Sequence, residues 1–279
     1  MTRKRRRRRR RGPRLLLALA LLLLWRLWLD NATVCTREYA VASPAFPAGF
    51  EGYRIAQITD LHGRSKLYAP LVRETARAEP DIIVLTGDIA DREDQWESLA
   101  GLLSELTAIA PCYYVSGNHE WADLKAEAFF SRLRDAGVTL LRNDWVFLER
   151  GGDTLALAGV EDPNGYADMP TPEDVCEELR QVYAGSAVAL CHRPELFPRL
   201  AAGGMTLVLS GHVHGGLIRL PFVGGLIGPG GWFPDYDKGL YTLGDSTLLV
   251  SPGIAGSNGV PRLFNRPELT VAVLHREKA

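Results

Sequence analysis

Cysteine is scarce here and scattered. Cys35, Cys112, Cys176 and Cys191 form no C-x-x-C pair, which argues against a structural zinc ribbon or a dense disulfide framework. Cys112 and Cys191 fall inside apolar strand patterns and read as buried thiols. No segment repeats and no second core is visible, so a single domain is expected. Acid is missing from the first 29 residues; the first Asp or Glu is Asp30. Ten of the 32 Lys and Arg residues lie within residues 1–14, nine of them consecutive from Arg3 to Arg11. The rest of the chain carries 22 basic against 33 acidic side chains, a net of −11 hidden beneath an overall −1.

A basic tail invites a nucleic-acid reading. The leucine run that follows it, Leu15 to Leu24 with Trp25, changes that reading to a signal sequence or signal anchor with its positive end held in the cytoplasm. Residues 15–29 make roughly 22 Å of helix, short against a hydrocarbon core of about 30 Å. Arg26 interrupts the run near its outer end, where a long side chain snorkels to the interface. Trp25 and Trp28 suit that depth. No small-x-small cleavage site follows. An uncleaved single-pass anchor is expected, with the acidic domain outside the cytoplasm; a cleaved export signal is the alternative. Expected boundaries are a basic cytoplasmic tail at 1–14, the anchor at 15–29, a linker at 30–52 with a candidate edge strand at 38–41, and one domain at 53–279.

The domain alternates strands and helices. Strand patterns occupy 54–59, 82–88 and 112–115, and helical patterns occupy 67–78, 96–109 and 123–135, with Asp123 as a plausible N-cap. Three short strands at 138–141, 145–149 and 155–160 read as a meander in a second sheet. A helix at 173–183 starts behind Thr171-Pro172. Strands at 187–190 and 207–209 each run into a His-bearing loop. Residues 217–239 form a long, apolar, glycine-rich loop, unusual enough to suggest function. Strands near 240–243, 247–250 and 269–275 close the chain.

Five strand ends carry metal-competent side chains: Asp60 and His62; Asp88 and Asp91; Asn118 and His119; His192; and His212 with His214. Five of the six histidines lie there, and only His275 does not. Mixed Asp, His and Asn donors suit a pair of borderline-hard dications such as Mn, Zn or Fe. A carboxylate can bridge two such ions about 3.5 to 4 Å apart, the spacing used for in-line displacement.

The ordered set D-x-H, G-D-x-x-D, G-N-H-E, a single later His and G-H-x-H resembles the calcineurin-like metallophosphoesterases. The likeness runs from about Tyr53 to His275. It implies an α/β fold, a four-layer α/β/β/α sandwich of two mixed sheets flanked by helices, behind one N-terminal anchor helix. It also implies that Asp60, His62 and His214 hold one metal, that Asn118, His192 and His212 hold the other, and that Asp88 bridges them. By the same resemblance His119 contacts substrate and assists the leaving oxygen, with Asp91 orienting it. Residues 52–58, 190–195 and 261–269 are similar to the membrane-anchored bacterial branch of YkuE and YaeI type phosphodiesterases. Val213 and Leu217 depart from the G-H-T-H-G-G-Q usual there, which puts a polar substrate contact in doubt and leaves the ligands intact.

The implied activity is hydrolysis of a phosphodiester, phosphomonoester or pyrophosphate bond by a metal-bridging hydroxide. A membrane-associated or lipid-linked substrate is one candidate class, UDP-2,3-diacylglucosamine-type pyrophosphate hydrolysis being one form. The rival readings are an extracytoplasmic nucleotide or protein phosphatase with the same site, and a tethered non-enzymatic binding module. Expected partners are the phosphoester and the membrane, with no nucleic acid and a monomeric chain.

Overall fold

The computed structural model describes residues 11–122, 125–256 and 260–277. Its first helix, α1 (Arg11–Ala32), contains a 21-residue apolar span from Gly12 to Ala32 that is almost wholly exposed. At ~1.5 Å per residue the span is roughly 31 Å long, its last turn meeting the domain through Asp30 and Asn31. The basic residues before Arg11, and Asp123 as a helix cap, lie outside the described residues.

Two six-stranded mixed sheets follow. The first has the order β1-β16-β2-β3-β4-β5, built from β1 (Cys35–Ser43), β16 (Glu268–Arg276), β2 (Arg54–Ile58), β3 (Ile82–Thr86), β4 (Cys112–Val115) and β5 (Thr139–Leu140). The second has the order β14-β15-β9-β8-β7-β6, from β14 (Gly239–Leu243), β15 (Ser246–Val250), β9 (Leu207–Ser210), β8 (Ala187–Cys191), β7 (Asp153–Val160) and β6 (Asp144–Arg150). The central strands β3 and β8 are buried along their whole length, as continuous apolar runs covered on both faces must be. Ile55, Val84, Leu157, Val188 and Leu209 meet in the core between the sheets.

Helices α2 (Tyr68–Ala78), α3 (Trp96–Ile109) and α5 (Ala126–Asp135) cover the outer face of the first sheet. Helices α6 (Pro172–Val182) and α7 (Phe197–Ala202) cover the second, giving the α/β/β/α order. A short helix, α4 (Asn118–Ala122), precedes α5. Thr171 caps α6: its hydroxyl accepts from the Asp174 amide and its own amide donates to the Asp174 carboxylate, the reciprocal box that satisfies two orphan donors.

Three expectations need correction. Residues 30–52 are no linker. Residues 30–32 finish α1, Cys35–Ser43 pairs in parallel with β16 across nine positions, and Phe46 and Phe50 lie in the core between the sheets. The proposed meander also splits between sheets. Its first strand pairs with β4 in the first sheet, and only β6 and β7 form a hairpin in the second. The loop at 217–239 is folded into two small antiparallel ladders, β10 (Arg219–Leu220) with β11 (Gly224–Gly225), and β12 (Ile227–Gly228) with β13 (Gly231–Trp232).

Helix α1 is fastened to the domain. Asp30 is fully buried; its carboxylate pairs with Arg26 at 2.8 Å and accepts from the Phe264 amide at 2.6 Å. Asn31 exchanges two hydrogen bonds with the Arg262 backbone, at 3.0 and 2.9 Å. Arg262 is itself buried, and its guanidinium donates to the carbonyls of Pro252, Ala255 and His214.

Candidate metal centre

The carboxyl ends of β2, β3 and β4 face those of β8 and β9. Buried polar contacts hold the two edges together. Gln57 donates to Thr86 Oγ1 at 2.9 Å and to the Ser210 carbonyl at 3.0 Å, and His192 Nδ1 lies 2.8 Å from the Thr86 carbonyl. The chain then turns abruptly. Asp60, His62, Asp88, His212 and His214 all have φ between +47° and +69°. Left-handed backbone costs a non-glycine residue about 1–2 kcal/mol. Five such residues around one cavity mark strain held by the surrounding fold, a common attribute of functional sites. Two glycines permit the close approach. A Cβ on Gly117 would stand 2.3 Å from Asp88 Oδ1, and one on Gly211 would stand 2.6 Å from Asp60 Oδ2.

Three overlapping groups of donors result, each with its ligand atoms within 4.8 Å of one another: Asp60, His62 and His214; His62, Asp88 and His119; Asp88, His192 and His212. Asp88 belongs to two of them. Its Oδ2 lies 3.3 Å from His192 Nε2 and 3.9 Å from the Nε2 atoms of both His62 and His119. His214 Nε2 is 3.8 Å from Asp60 Oδ1. His212 Nδ1 approaches His192 Nε2 to 3.1 Å. His62 Nε2 and Asn118 Oδ1 are buried and lack a hydrogen-bond partner among the described residues. Buried polar atoms rarely stay unpaired, and nitrogen and oxygen donors converging on one spot fit divalent cations.

Electrostatics favour cations there. Burial opposes charging His192, yet Asp88 overcomes it and pushes that imidazole up to about 10. The Asp91 carboxylate beside its Nδ1 carries His119 up to about 9. Asp88 and Asp91 are lowered despite burial, because histidines surround them. Burial first, and His192 next, drive His212 down to about 3; burial likewise brings His214 to about 4. Those two rings are neutral at physiological pH, the form that ligates metal.

Asp91 does more than the sequence suggested. Its Oδ1 lies 2.6 Å from His62 Nδ1 and 2.9 Å from His119 Nδ1. The second approach is close but poorly aligned for a hydrogen bond. One carboxylate therefore steadies two rings, in the way that outer carboxylates fix ligand tautomers. Exposure separates the pair. The His62 side chain is 9% exposed and that of His119 is 32%, so His119 stands at the mouth.

Sequence reasoning assigned no role to Glu120, although it ends the G-N-H-E run. Its fully buried carboxylate accepts from the amides of Gly117 at 2.7 Å, Asp88 at 3.0 Å and Ile89 at 2.7 Å, clamping two ligand loops together. Arg262 and Asn265 were also missed. Both donate to the His214 carbonyl, Asn265 at 2.7 Å; the resemblance over 261–269 marked the segment without giving either residue a role.

A cleft of about 560 Å³ opens from Asn118 and His212 and is walled by Arg193, Gly228–Gly230 and Pro234–Tyr236. Arg193 is held by Asp162 through two bonds of 2.6 and 3.2 Å. The apolar loop is not buried as core. Phe222 is fully exposed, and Val223, Trp232 and Phe233 are more than half exposed.

Residues 53–216 match the family described as Calcineurin-like phosphoesterase. The chain is 28% identical over 255 residues to the uncharacterized metallophosphoesterase YkuE of Bacillus subtilis, covering 88% of this chain and 87% of that one. It is 27% identical over 232 residues to phosphodiesterase YaeI of Escherichia coli, covering 80% and 82%. It is 29% identical over 250 residues to a transmembrane protein with metallophosphoesterase domain of Danio rerio; that alignment covers 82% of this chain and 54% of the relative.

Proposed function

This chain belongs to the calcineurin-like phosphoesterases, and from that premise we propose that it is a membrane-anchored hydrolase of a lipid-linked phosphoester or pyrophosphate. The observation that carries the reading is the meeting of Asp and His donors from five strand ends in three overlapping groups, two of which share Asp88, near a cleft whose wall-forming loop also exposes Trp232 and Phe233.

Asp60, His62 and His214 would hold one divalent ion, Asn118, His192 and His212 the other, and Asp88 both. Such ions polarise the phosphoryl group and lower the pKa of water, which is the chemistry they supply when bound. The protein's own side chains do the rest. Asp91 holds His62 and His119 by their Nδ1 atoms. That leaves His119 Nε2 at the mouth to donate a proton to the leaving oxygen, a contribution of about 10²–10⁴ in rate. Arg193, fixed by Asp162 on the cleft wall, offers a cation to a non-reacting phosphate.

In this proposal the amino terminus lies in the cytoplasm and the catalytic domain outside, supported by the block of basic residues before the leucine run, and the chain is taken as a monomer. A nucleotide or phosphoprotein phosphatase with the same site is the rival. The net charge of −11 beyond the tail opposes polyanionic substrates. Hydrolysis products of the purified full chain with added Mn, identified by mass spectrometry for the lipid and nucleotide substrates and as p-nitrophenol for the aryl esters, separate the readings. Turnover of UDP-2,3-diacylglucosamine or another lipid diphosphate above bis-p-nitrophenyl phosphate and p-nitrophenyl phosphate is expected. Preference for nucleotides or phosphopeptides would transfer the assignment to the rival.

A further inference from the structure

A second cleft, of about 540 Å³, lies at the foot of the anchor helix. Five cations line it: Arg26, Arg37, Arg219, Lys238 and Arg266. Only one carboxylate, that of Glu268, lines it with them. This concentration stands out in a chain whose remainder beyond residue 14 is acidic. Some of the charge is spent locally: Asp30 pairs with Arg26, Asp237 with Arg219 at 2.9 Å, and Glu268 with Lys238. Arg37 and Arg266 have no carboxylate within ion-pair distance among the described residues. Arg266 donates from Nη2 to the Val34 carbonyl at 3.2 Å, while its Nε is buried without a hydrogen-bond partner.

The cleft's height relative to a bilayer follows from the helix. Arg26 lies between Trp25 and Trp28, both 57% exposed on α1, and indoles settle at headgroup level. Arg26 is itself a wall of the cleft, so the cleft opens at that level. Its edge is apolar. Phe264 carries the Arg26 guanidinium 5.3 Å from its ring centroid and is exposed, and the hairpin that begins at Arg219 exposes Leu220 and Phe222. Cations at headgroup depth with an apolar rim match a lipid whose phosphate is anionic and whose chains lie beside the anchor.

We propose that this cleft binds the phosphate headgroup of an anionic phospholipid in the leaflet from which α1 emerges, separately from the metal centre. The inference rests on α1 being held in a bilayer and not on the catalytic reading. Bound lipid neutralises Arg37 and Arg266 and fixes the domain against the membrane.

The test is native mass spectrometry of the full chain in detergent, titrated with phosphatidylglycerol or phosphatidylcholine. Arg37→Gln, Arg266→Gln, the pair, and a chain with Arg3 to Arg11 changed to glutamine are compared. One phosphatidylglycerol retained by the wild-type and tail-substituted chains is expected. Affinity should fall about fivefold for each cleft cation removed and about 25-fold for the pair. Unchanged binding in the pair overturns the proposal, as does equal retention of phosphatidylcholine. Displacement by equimolar inorganic phosphate would make the cleft a soluble-anion site, and a dimer in place of lipid would make it a self-contact; either refutes it. Arg37 is exposed, so Arg37→Gln decides the matter if Arg266→Gln fails to fold. A circular dichroism melt checks that point.

Discussion

Gly117→Ala tests the metal centre without touching a ligand. Gly117 lies outside the left-handed region, so alanine suits its backbone. The obstacle is space: the new Cβ would stand 2.3 Å from Asp88 Oδ1 and 2.5 Å from the Asp88 amide nitrogen. Apolar contact is comfortable at about 3.5 Å, so the carboxylate must retreat by about 1 Å. Asp88 cannot retreat freely, because Glu120 holds its amide and the Gly117 amide together. The expected cost is about 1–3 kcal/mol of stability from overpacking and a 10- to 100-fold loss of Mn affinity. Isothermal titration with Mn and a thermal melt of the full chain give both numbers. Gly101→Ala, within α3 and with nothing near its added methyl, is the control. It should stabilise by about 0.5–1 kcal/mol with metal binding intact. Wild-type Mn affinity in Gly117→Ala would show that Asp88 does not hold metal from where it stands.

Three further outcomes are expected. His119→Ala keeps its metal content by mass spectrometry while kcat falls about 10²–10⁴-fold; an empty site in that variant would make His119 a ligand instead. Asp91→Asn lowers both kcat and Mn affinity, each about 10- to 100-fold, because the carboxylate reaches His62 as well as His119; an effect on rate alone would confine it to His119. Asp30→Ala strands Arg26 and the Phe264 amide, at about 1–3 kcal/mol. A full-chain melting temperature unchanged within about 2 °C would mean the anchor is not fastened as described.

The donors were legible because each lies within four residues of an apolar strand's end, a signal carried by local order alone. The five left-handed residues and the Asp91–His62 contact were not, since both depend on how separate loops meet. The 30–52 stretch misled for a related reason. Cys35–Ser43 is half exposed on an edge and looks mixed in composition, and its partner is made some 230 residues later. Asp30 and Asn31 looked like the polar end of an anchor; their bonds to residues 262 and 264 have no local signature. The loop at 217–239 was flagged by composition, but not its division into a cleft wall and exposed aromatics. That division depends on which side chains the two small ladders turn outward.

The pairing of β1 with β16 also constrains how the molecule is born. Among the described residues β1 has no other sheet neighbour, and about 225 residues separate Ser43 from Glu268. At roughly 5–20 residues per second of synthesis, the first strand beyond α1 waits about 10–45 s with an open edge. Arg37 and Glu38 sit on that edge, and charges there discourage pairing with the wrong chain. Nascent chains crowded along one messenger, each with that edge still unpaired, are where such protection matters most.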